Sequence, residues 1–229
     1  MSLQAIVFDF DGVIANSEPL HFRAYKEVLA EDGVVLTEHE YYARYLGFDD
    51  VGAFEAIAAD RGLRWTSSAV TSLVERKAVR LEALECGMSV LFPGAADAIR
   101  RAAAVVPIAI ASGARAKEIR RVLERERLIE HFSAIVSADD TPIGKPAPDP
   151  YLRALAQMRA ATRHDIVASA CVAIEDSRWG LESARAAGMR TVAVTNTYEK
   201  SAFEETADLV IPSLAAMDLN VLAQLCLQS

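Results

Sequence analysis

Residues 4–18, Gln-Ala-Ile-Val-Phe-Asp-Phe-Asp-Gly-Val-Ile-Ala-Asn-Ser-Glu, constrain the fold more than any other stretch of the chain. Ala5 to Phe8 is a short apolar run of β-type residues, the pattern of a strand buried on both faces. It ends in two carboxylates, Asp9 and Asp11, followed at once by Gly12. Residues i and i+2 of a strand point the same way, so the two acids can converge on one small volume as the chain leaves the sheet. They repel there unless one is protonated or a cation lies between them. Hard cations take oxygen ligands, and Mg²⁺ is commonly held by one or two carboxylates with water and phosphate oxygens. A bare Asp-x-Asp also suits a helix N-cap or a solvated turn. The apolar strand before the pair and the glycine after it weigh toward a site.

Residues 19 to about 87 carry helical periodicity and no convincing strand. Ser17 and Pro19 suit the start of a first helix, striped by Leu20, Ala24 and Val28 and stopped by Gly33. Thr37 and Glu40 form a capping box, and Gly47 breaks the pattern that follows. Asp50 to Arg61 is helical up to Gly62. Ser67 to Glu85 is a longer helix with Val70, Leu73, Val74, Leu81 and Leu84 inward, closed by Gly87. Such an insert directly after an acidic strand end reads as a cap domain, which can exclude water and choose a substrate. His21 is read either as a histidine packed beside Tyr25 or as a substrate contact. Lys77 is read either as a snorkelling surface lysine or as a second such contact.

After the insert, strands alternate with helices. Pro107 to Ser112-Gly113 is an apolar strand ending in a hydroxyl and a glycine, with a helix from Arg115 to Leu128 behind it. The Ser112 hydroxyl and the backbone N–H groups of Gly113 and Ala114 make a ready anion site, although a serine there is also an ordinary cap. Ser133 to Ala138 is a third strand. The loop Gly144-Lys145-Pro146-Ala147-Pro148-Asp149-Pro150 is stiffened by its prolines, and Asp149 with Pro150 suits the start of a helix. Lys145, held in so stiff a loop, is a candidate to neutralise a phosphate and a carboxylate together. Ala170 to Ile174 is a fourth strand ending in a second acidic pair, Glu175-Asp176. Helix 178–187, strands 191–195 and 209–211 and a closing helix 214–227 complete the chain.

The expected fold is therefore α/β: a Rossmann-like parallel sheet core in residues 1–15 and 88–229, with an inserted helical cap in residues 16–87. In such sheets ligands sit beyond the carboxyl ends of the strands, where Asp9, Asp11, Ser112, Glu175 and Asp176 would gather with Lys145 beside them. Two acidic strand ends facing one site imply a metal, and the lack of a His or Cys cluster implies Mg²⁺ rather than zinc. The net charge of −8 argues against nucleic acid as a partner. The three cysteines, Cys86, Cys171 and Cys226, are far apart and read as buried thiols of a reducing compartment. No basic leader with an apolar run precedes the first strand, and no apolar run is long enough to span a membrane, so a cytoplasmic monomer acting on a small molecule is expected.

Asp9-Phe-Asp-Gly-Val-Ile, Ile110-Ala-Ser112-Gly113, Gly144-Lys145-Pro-Ala-Pro-Asp149 and Ile174-Glu175-Asp176-Ser177-Arg-Trp-Gly180 resemble the four ordered motifs of the haloacid dehalogenase superfamily. The match spans essentially the whole chain. The insert resembles the cap of the branch that holds β-phosphoglucomutase and phosphoglycolate phosphatase. The resemblance implies Asp9 as nucleophile, Asp11 as general acid and base, and Ser112, Gly113 and Lys145 on the phosphoryl oxygens. It implies Mg²⁺ on Asp9, the Asp11 carbonyl and Asp176, with Glu175 in or near the shell. His21 and Lys77 stand where the mutase carries cap residues. The loop Tyr45-Leu46-Gly47-Phe48-Asp49-Asp50 offers acids where the mutase has a phosphate-binding arginine, which favours a phosphatase. Asn16 stands where many relatives carry Asp. A phosphatase of a small phosphorylated metabolite is expected, the alternatives being a sugar-phosphate mutase and a non-enzymatic phospho-acceptor.

Overall fold

The computed structural model describes residues 2–46, 48–86 and 89–227. Gly47 and Gly87, expected to end helices, lie outside the described residues. The chain divides into two compact units, one of residues 1–16 and 90–229 and one of residues 17–89.

The larger unit is a six-stranded sheet, every pair parallel. Its strands are β1 (Ala5–Phe8), β2 (Ile108–Ala111), β3 (Phe132–Val136), β4 (Cys171–Glu175), β5 (Arg190–Val194) and β6 (Leu209–Ile211). Their spatial order is β3-β2-β1-β4-β5-β6. β1 is thus central, and the order turns back on either side of it, the switch point at which parallel sheets open a crevice. β1, β2 and β4 are buried along their whole length. That explains their continuous apolar runs, because helices cover both faces of a parallel sheet. The alternation sorts the contacts: Ala5, Val7, Ala109, Ala111, Cys171 and Ala173 pack in one cluster with Tyr151, Ala154 and Met158.

Among the described residues, the α-helices of this unit are Ala95–Ala103, Ala116–Arg125, Asp149–Thr162, Arg178–Ala186 and Leu219–Leu225. Asp149 is the first helical residue rather than its cap; Pro148 holds the cap position without a side-chain bond. The expected closing helix is broken. A 3₁₀ turn covers Leu214–Ala216, and a separate helix begins where Asp218 accepts a hydrogen bond from the Asn220 N–H. The Asp218 cap starts a new helix inside an apolar run that periodicity alone reads as continuous.

The smaller unit is helical: α1 (Glu18–Glu31), α2 (Glu38–Glu40) running into a π turn at Tyr41–Tyr45, α3 (Asp50–Arg61) and α4 (Ser67–Glu85). The Thr37–Glu40 capping box forms in full. Ser17 occupies the cap position of α1 but makes no side-chain cap bond. The unit has its own core, in which Tyr25, Val28, Leu29, Leu36, Phe54, Ile57, Val70 and Leu73 pack together. On α4 the buried positions are Val70, Leu73, Lys77, Leu81 and Glu85; Val74 and Leu84 are only partly covered. Cys171 and Cys226 are buried thiols as expected, but Cys86, the residue after α4, is exposed. Among the described residues no helix is long and apolar enough to cross a membrane.

Candidate active site

Strand register assembles the site. Phe8 pairs with Ile110 of β2 and with Ile174 of β4, so the residues just beyond lie level with one another. The Asp9 N–H donates to the Ile174 carbonyl at 2.9 Å, which carries the register one residue past the strand. Asp9, Glu175 and Asp176 are all buried, and each offers an oxygen within 4.8 Å of the others'. The Asp11 carboxylate is not in that cluster among the described residues. Asp11 sits in the turn after β1, where its backbone bridges to Ala15 and its charge is felt at Asp9.

Lys145 reaches into this cluster from its loop. Its Nζ lies 2.9 Å from Asp9 Oδ1 and 2.5 Å from Glu175 Oε1. Glu175 is fully buried, and its two oxygens are shared out. Oε1 accepts from Lys145 and from the Tyr151 hydroxyl at 2.7 Å; Oε2 accepts from the Asp176 N–H at 3.2 Å and the Ser177 hydroxyl at 3.1 Å. The Tyr151 ring also lies under the ammonium, 5.3 Å from ring centre to Nζ, within cation–π range. Glu175 is thus bonded on both oxygens, with Lys145 and Tyr151 sharing one of them.

The charges follow from burial. Burial pushes Asp9 up from the usual carboxylate range; Lys145 opposes this, and Glu175 and Asp11 add to it. Burial also raises Asp176, reinforced by Asp9 and Glu175 and opposed by Thr197 and Lys145. For Lys145, burial acts to lower the value, but Asp9 and Glu175 outweigh it and hold the ammonium above its usual range. Burial, then the neighbouring carboxylates, keeps the Tyr151 hydroxyl protonated and donating. The site has more negative charge than one lysine can match.

Two glycines are set by the acids. A Cβ at Gly12 would fall 1.9 Å from Asp176 Oδ2, and the residue has φ +74°. A Cβ at Gly180 would fall 1.9 Å from Glu175. Gly113 differs: nothing lies within 4 Å of where its Cβ would be, so the space beside it is open. Ser112 is buried, and its Oγ accepts from the Ala114 N–H at 3.1 Å. The next helix begins at Ala116, whose N–H donates to Asp139 at 2.9 Å, so that helix-terminal donor is already taken.

His21 and Lys77 belong to the helical unit. Lys77 is fully buried, which removes the reading of a snorkelling surface lysine. Its Nζ lies 2.7 Å from Asp50 Oδ1, 2.9 Å from His21 Nδ1 and 4.9 Å from the centre of the Tyr25 ring. The Tyr25 hydroxyl donates to the same Asp50 oxygen at 2.7 Å. Because an ammonium only donates, His21 Nδ1 accepts and its ring proton sits on Nε2.

Sequence reasoning missed Tyr151, Asn196 and Thr197. Thr197 Oγ1 donates to Asp176 Oδ2 at 2.5 Å, and Asn196 Nδ2 donates to the Gly12 carbonyl at 2.8 Å. The signal for the latter two was present, since they directly follow β5 at the ligand end of the sheet. For Tyr151 there was none, because an aromatic one turn into a helix reads as core.

The family model of haloacid dehalogenase-like hydrolases matches residues 3–188. Protein CbbY of Rhodobacter capsulatus is 32% identical over 98% of this chain and the whole of that one. Fructose-1-phosphate phosphatase YqaB of Escherichia coli is 29% identical over 82% of this chain and 95% of that one. The crystal structure of CbbY from Rhodobacter sphaeroides with xylulose 1,5-bisphosphate superposes with a TM-score of 0.78 at 26% identity, covering 94% of this chain and 96% of that one. With its parallel sheet, its acid cluster and these matches, the chain belongs to the haloacid dehalogenase-like hydrolases and is an enzyme of that family.

Proposed function

We propose that the chain is a Mg²⁺-dependent phosphatase of a small phosphorylated sugar, working through a phosphorylated Asp9. The observation that carries this reading is the Lys145 ammonium seated between Asp9 and Glu175 inside a buried acid cluster. The residues also fit a divalent cation. Asp9 Oδ1 is buried and accepts no directed hydrogen bond, its contact with Lys145 being an ion pair only. Asp9, the Asp11 carbonyl and Asp176 would hold the cation, with Glu175 beside them. Bound there, Mg²⁺ would offset the negative charge shared by the carboxylates and the phosphoryl group.

In this reading an Asp9 oxygen attacks phosphorus in line and the bond from phosphorus to the sugar oxygen breaks. Asp11, protonated at this stage, gives its proton to the leaving oxygen. Asp11 then takes a proton from water, which attacks the phosphorylated Asp9. The bond from phosphorus to Asp9 breaks, and inorganic phosphate leaves. Lys145, the Gly113 N–H and the Ser112 hydroxyl meet the equatorial oxygens, where charge spreads. Ala114 acts through Ser112, because its N–H engages Oγ and leaves the hydroxyl proton to donate.

Residues 17–89 would serve as a cap that excludes water and chooses the sugar, and His21 and Lys77 remain its candidate substrate residues. A phosphatase is favoured over a mutase because the two cap cations weighed for a second phosphate, Lys77 and Arg44, are each paired with an acid. The Lys77 charge is matched by Asp50, and Arg44 pairs with Asp60 at 2.7 Å. The names of the relatives, a fructose-1-phosphate phosphatase among them, support a phosphorylated sugar as substrate. The test is phosphate release from a panel of sugar phosphates with Mg²⁺ and with EDTA. Release that needs Mg²⁺ is expected. Conversion of β-glucose 1-phosphate to glucose 6-phosphate, with a trace of the bisphosphate and little free phosphate, would replace the phosphatase by a mutase.

A further inference from the structure

The loop after β5 bonds to both acidic segments of the site. Thr197 Oγ1 donates to Asp176 Oδ2 at 2.5 Å. Its neighbour Asn196 donates through Nδ2 to the Gly12 carbonyl at 2.8 Å, in the turn that follows Asp9 and Asp11. The packing around this pair is close. A Cβ at Gly12 would fall 1.9 Å from Asp176 Oδ2 and 3.0 Å from Thr197 Oγ1. Two consecutive side chains of one loop therefore tie the end of β4 to the turn after β1. Neither Asn196 nor Thr197 is among the acids that could ligate a metal.

We propose that Thr197 is a positioning residue for the metal: its hydroxyl fixes the Asp176 carboxylate, with Asn196 anchoring the loop on Gly12, and thereby sets the affinity of the site for Mg²⁺. The reason is geometric. A carboxylate flanked by other acids swings away from them unless something holds it. A hydroxyl donating to Oδ2 is such a hold, and it leaves Oδ1 as the oxygen for a cation. Hydrogen bonds of this kind to a ligating carboxylate commonly change metal affinity by about 10–100-fold when removed. Threonine suits the task because its methyl group restricts χ1, so the hydroxyl has few directions to point.

The inference rests on the metal site of the proposed function, and its test separates the two. Mg²⁺ binding to the full-length purified protein is measured by titration calorimetry, after removal of divalent ions, for the native chain, Thr197→Val, Thr197→Ser and Asn196→Ala. Valine keeps the shape and removes the donor; serine keeps the donor. The expected result is Mg²⁺ affinity lowered about 10-fold or more in Thr197→Val, restored to within about threefold in Thr197→Ser, and lowered by a smaller factor in Asn196→Ala. Melting temperatures in EDTA should fall by only a few degrees in Thr197→Val and Asn196→Ala, which each lose one hydrogen bond of the fold, and stay close to native in Thr197→Ser. A Thr197→Val protein that binds Mg²⁺ as the native does overturns the proposal while leaving the metal site standing. Serine as weak as valine also overturns it. A native chain that binds no Mg²⁺ removes the metal reading and this inference together. Should Thr197→Val melt far below native in EDTA, Asn196→Ala decides, and an unchanged affinity there counts against the loop as the anchor.

Discussion

At the scale of the residue, the site is an excess of buried acid around one ammonium. Asp9→Asn keeps the shape, relieves repulsion from Glu175 and Asp176, and leaves Lys145 its 2.5 Å partner in Glu175. Turnover should fall by on the order of 10⁴ or more, as when a covalent nucleophile is removed, with the melting temperature unchanged or raised. Phosphate release that persists in this variant and still needs Mg²⁺ would exclude Asp9 as the nucleophile. The raised values of Asp9 and Asp176 carry a second expectation. A carboxyl raised on folding holds its proton where the unfolded chain has released it, so its contribution to stability is present at low pH. That contribution is lost as pH rises from about 4 through the raised values. Carboxylates lowered on folding, such as Asp140, act in the opposite sense but at more acidic pH, below this window. In EDTA the melting temperature should therefore fall between pH 5 and pH 8. Mg²⁺ competes with those protons and should bind more weakly at pH 6 than at pH 8. Calorimetry showing equal affinity at both would mean that these acids do not hold the cation.

At the scale of the element, two glycines near strand ends serve different ends, and substitution separates them. Gly180 lies in the first turn of helix 178–186, where alanine is intrinsically preferred by about 1 kcal/mol. The Cβ would nevertheless meet Glu175 at 1.9 Å, displacing the group that holds Lys145. Overpacking of this kind costs about 1–3 kcal/mol, so Gly180→Ala should lower both the melting temperature and the activity. Gly113 has open space beside it and no positive φ, so Gly113→Ala should leave the melting temperature within a degree or two. If phosphoryl oxygens approach that backbone, the same change should cut phosphatase activity about tenfold or more, the loss seen when a positioned donor is misplaced. Calorimetric melting beside steady-state kinetics on the two variants reads both effects. A Gly113→Ala enzyme of native activity would remove that N–H from the site.

At the scale of the whole molecule, two units with separate cores predict separable stability. Lys77, fully buried, forms an ion pair with the partly buried Asp50 within the helical unit. Removing one partner of such a pair costs about 3–5 kcal/mol, because the other is left uncompensated. In Asp50, burial acts to raise the pKa, and Lys77 and Tyr25 more than offset it, so the carboxylate is ionised at neutral pH and needs its partner. Lys77→Met should therefore speed amide hydrogen exchange across residues 17–89 and leave β1 and β4 protected as before. Adding Asp50→Asn should recover much of the loss. Equal loss of protection in both units would mean that they unfold as one.

Much of this protein is legible in its sequence, for reasons of short range. Apolar runs such as Ala5–Phe8 and Cys171–Ile174 are strands buried on both faces, so composition over a few residues identifies them. The capping box at Thr37 and the glycine at the end of α3 are local chemistry, and both ends fall where the residues say. The acids at two strand ends, the Ser-Gly turn and the stiff lysine loop could be assigned to one place because parallel sheets put their carboxyl ends together. Tertiary structure alone decided the rest. Nothing in the spacing of Lys77 says that Asp50, 27 residues away, neutralises it, which is what allows a lysine to be fully buried on α4. Nothing in the run from Leu214 to Leu227 separates one helix from a 3₁₀ turn and a second helix. The hydrogen bonds of Tyr151 to Glu175 and of Thr197 to Asp176 join residues 24 and 21 positions apart. The first exists because the helix Asp149–Thr162 packs Tyr151 against the sheet beside β4, the second because register brings β4 and β5 level, and neither distance is set by a periodicity along the chain.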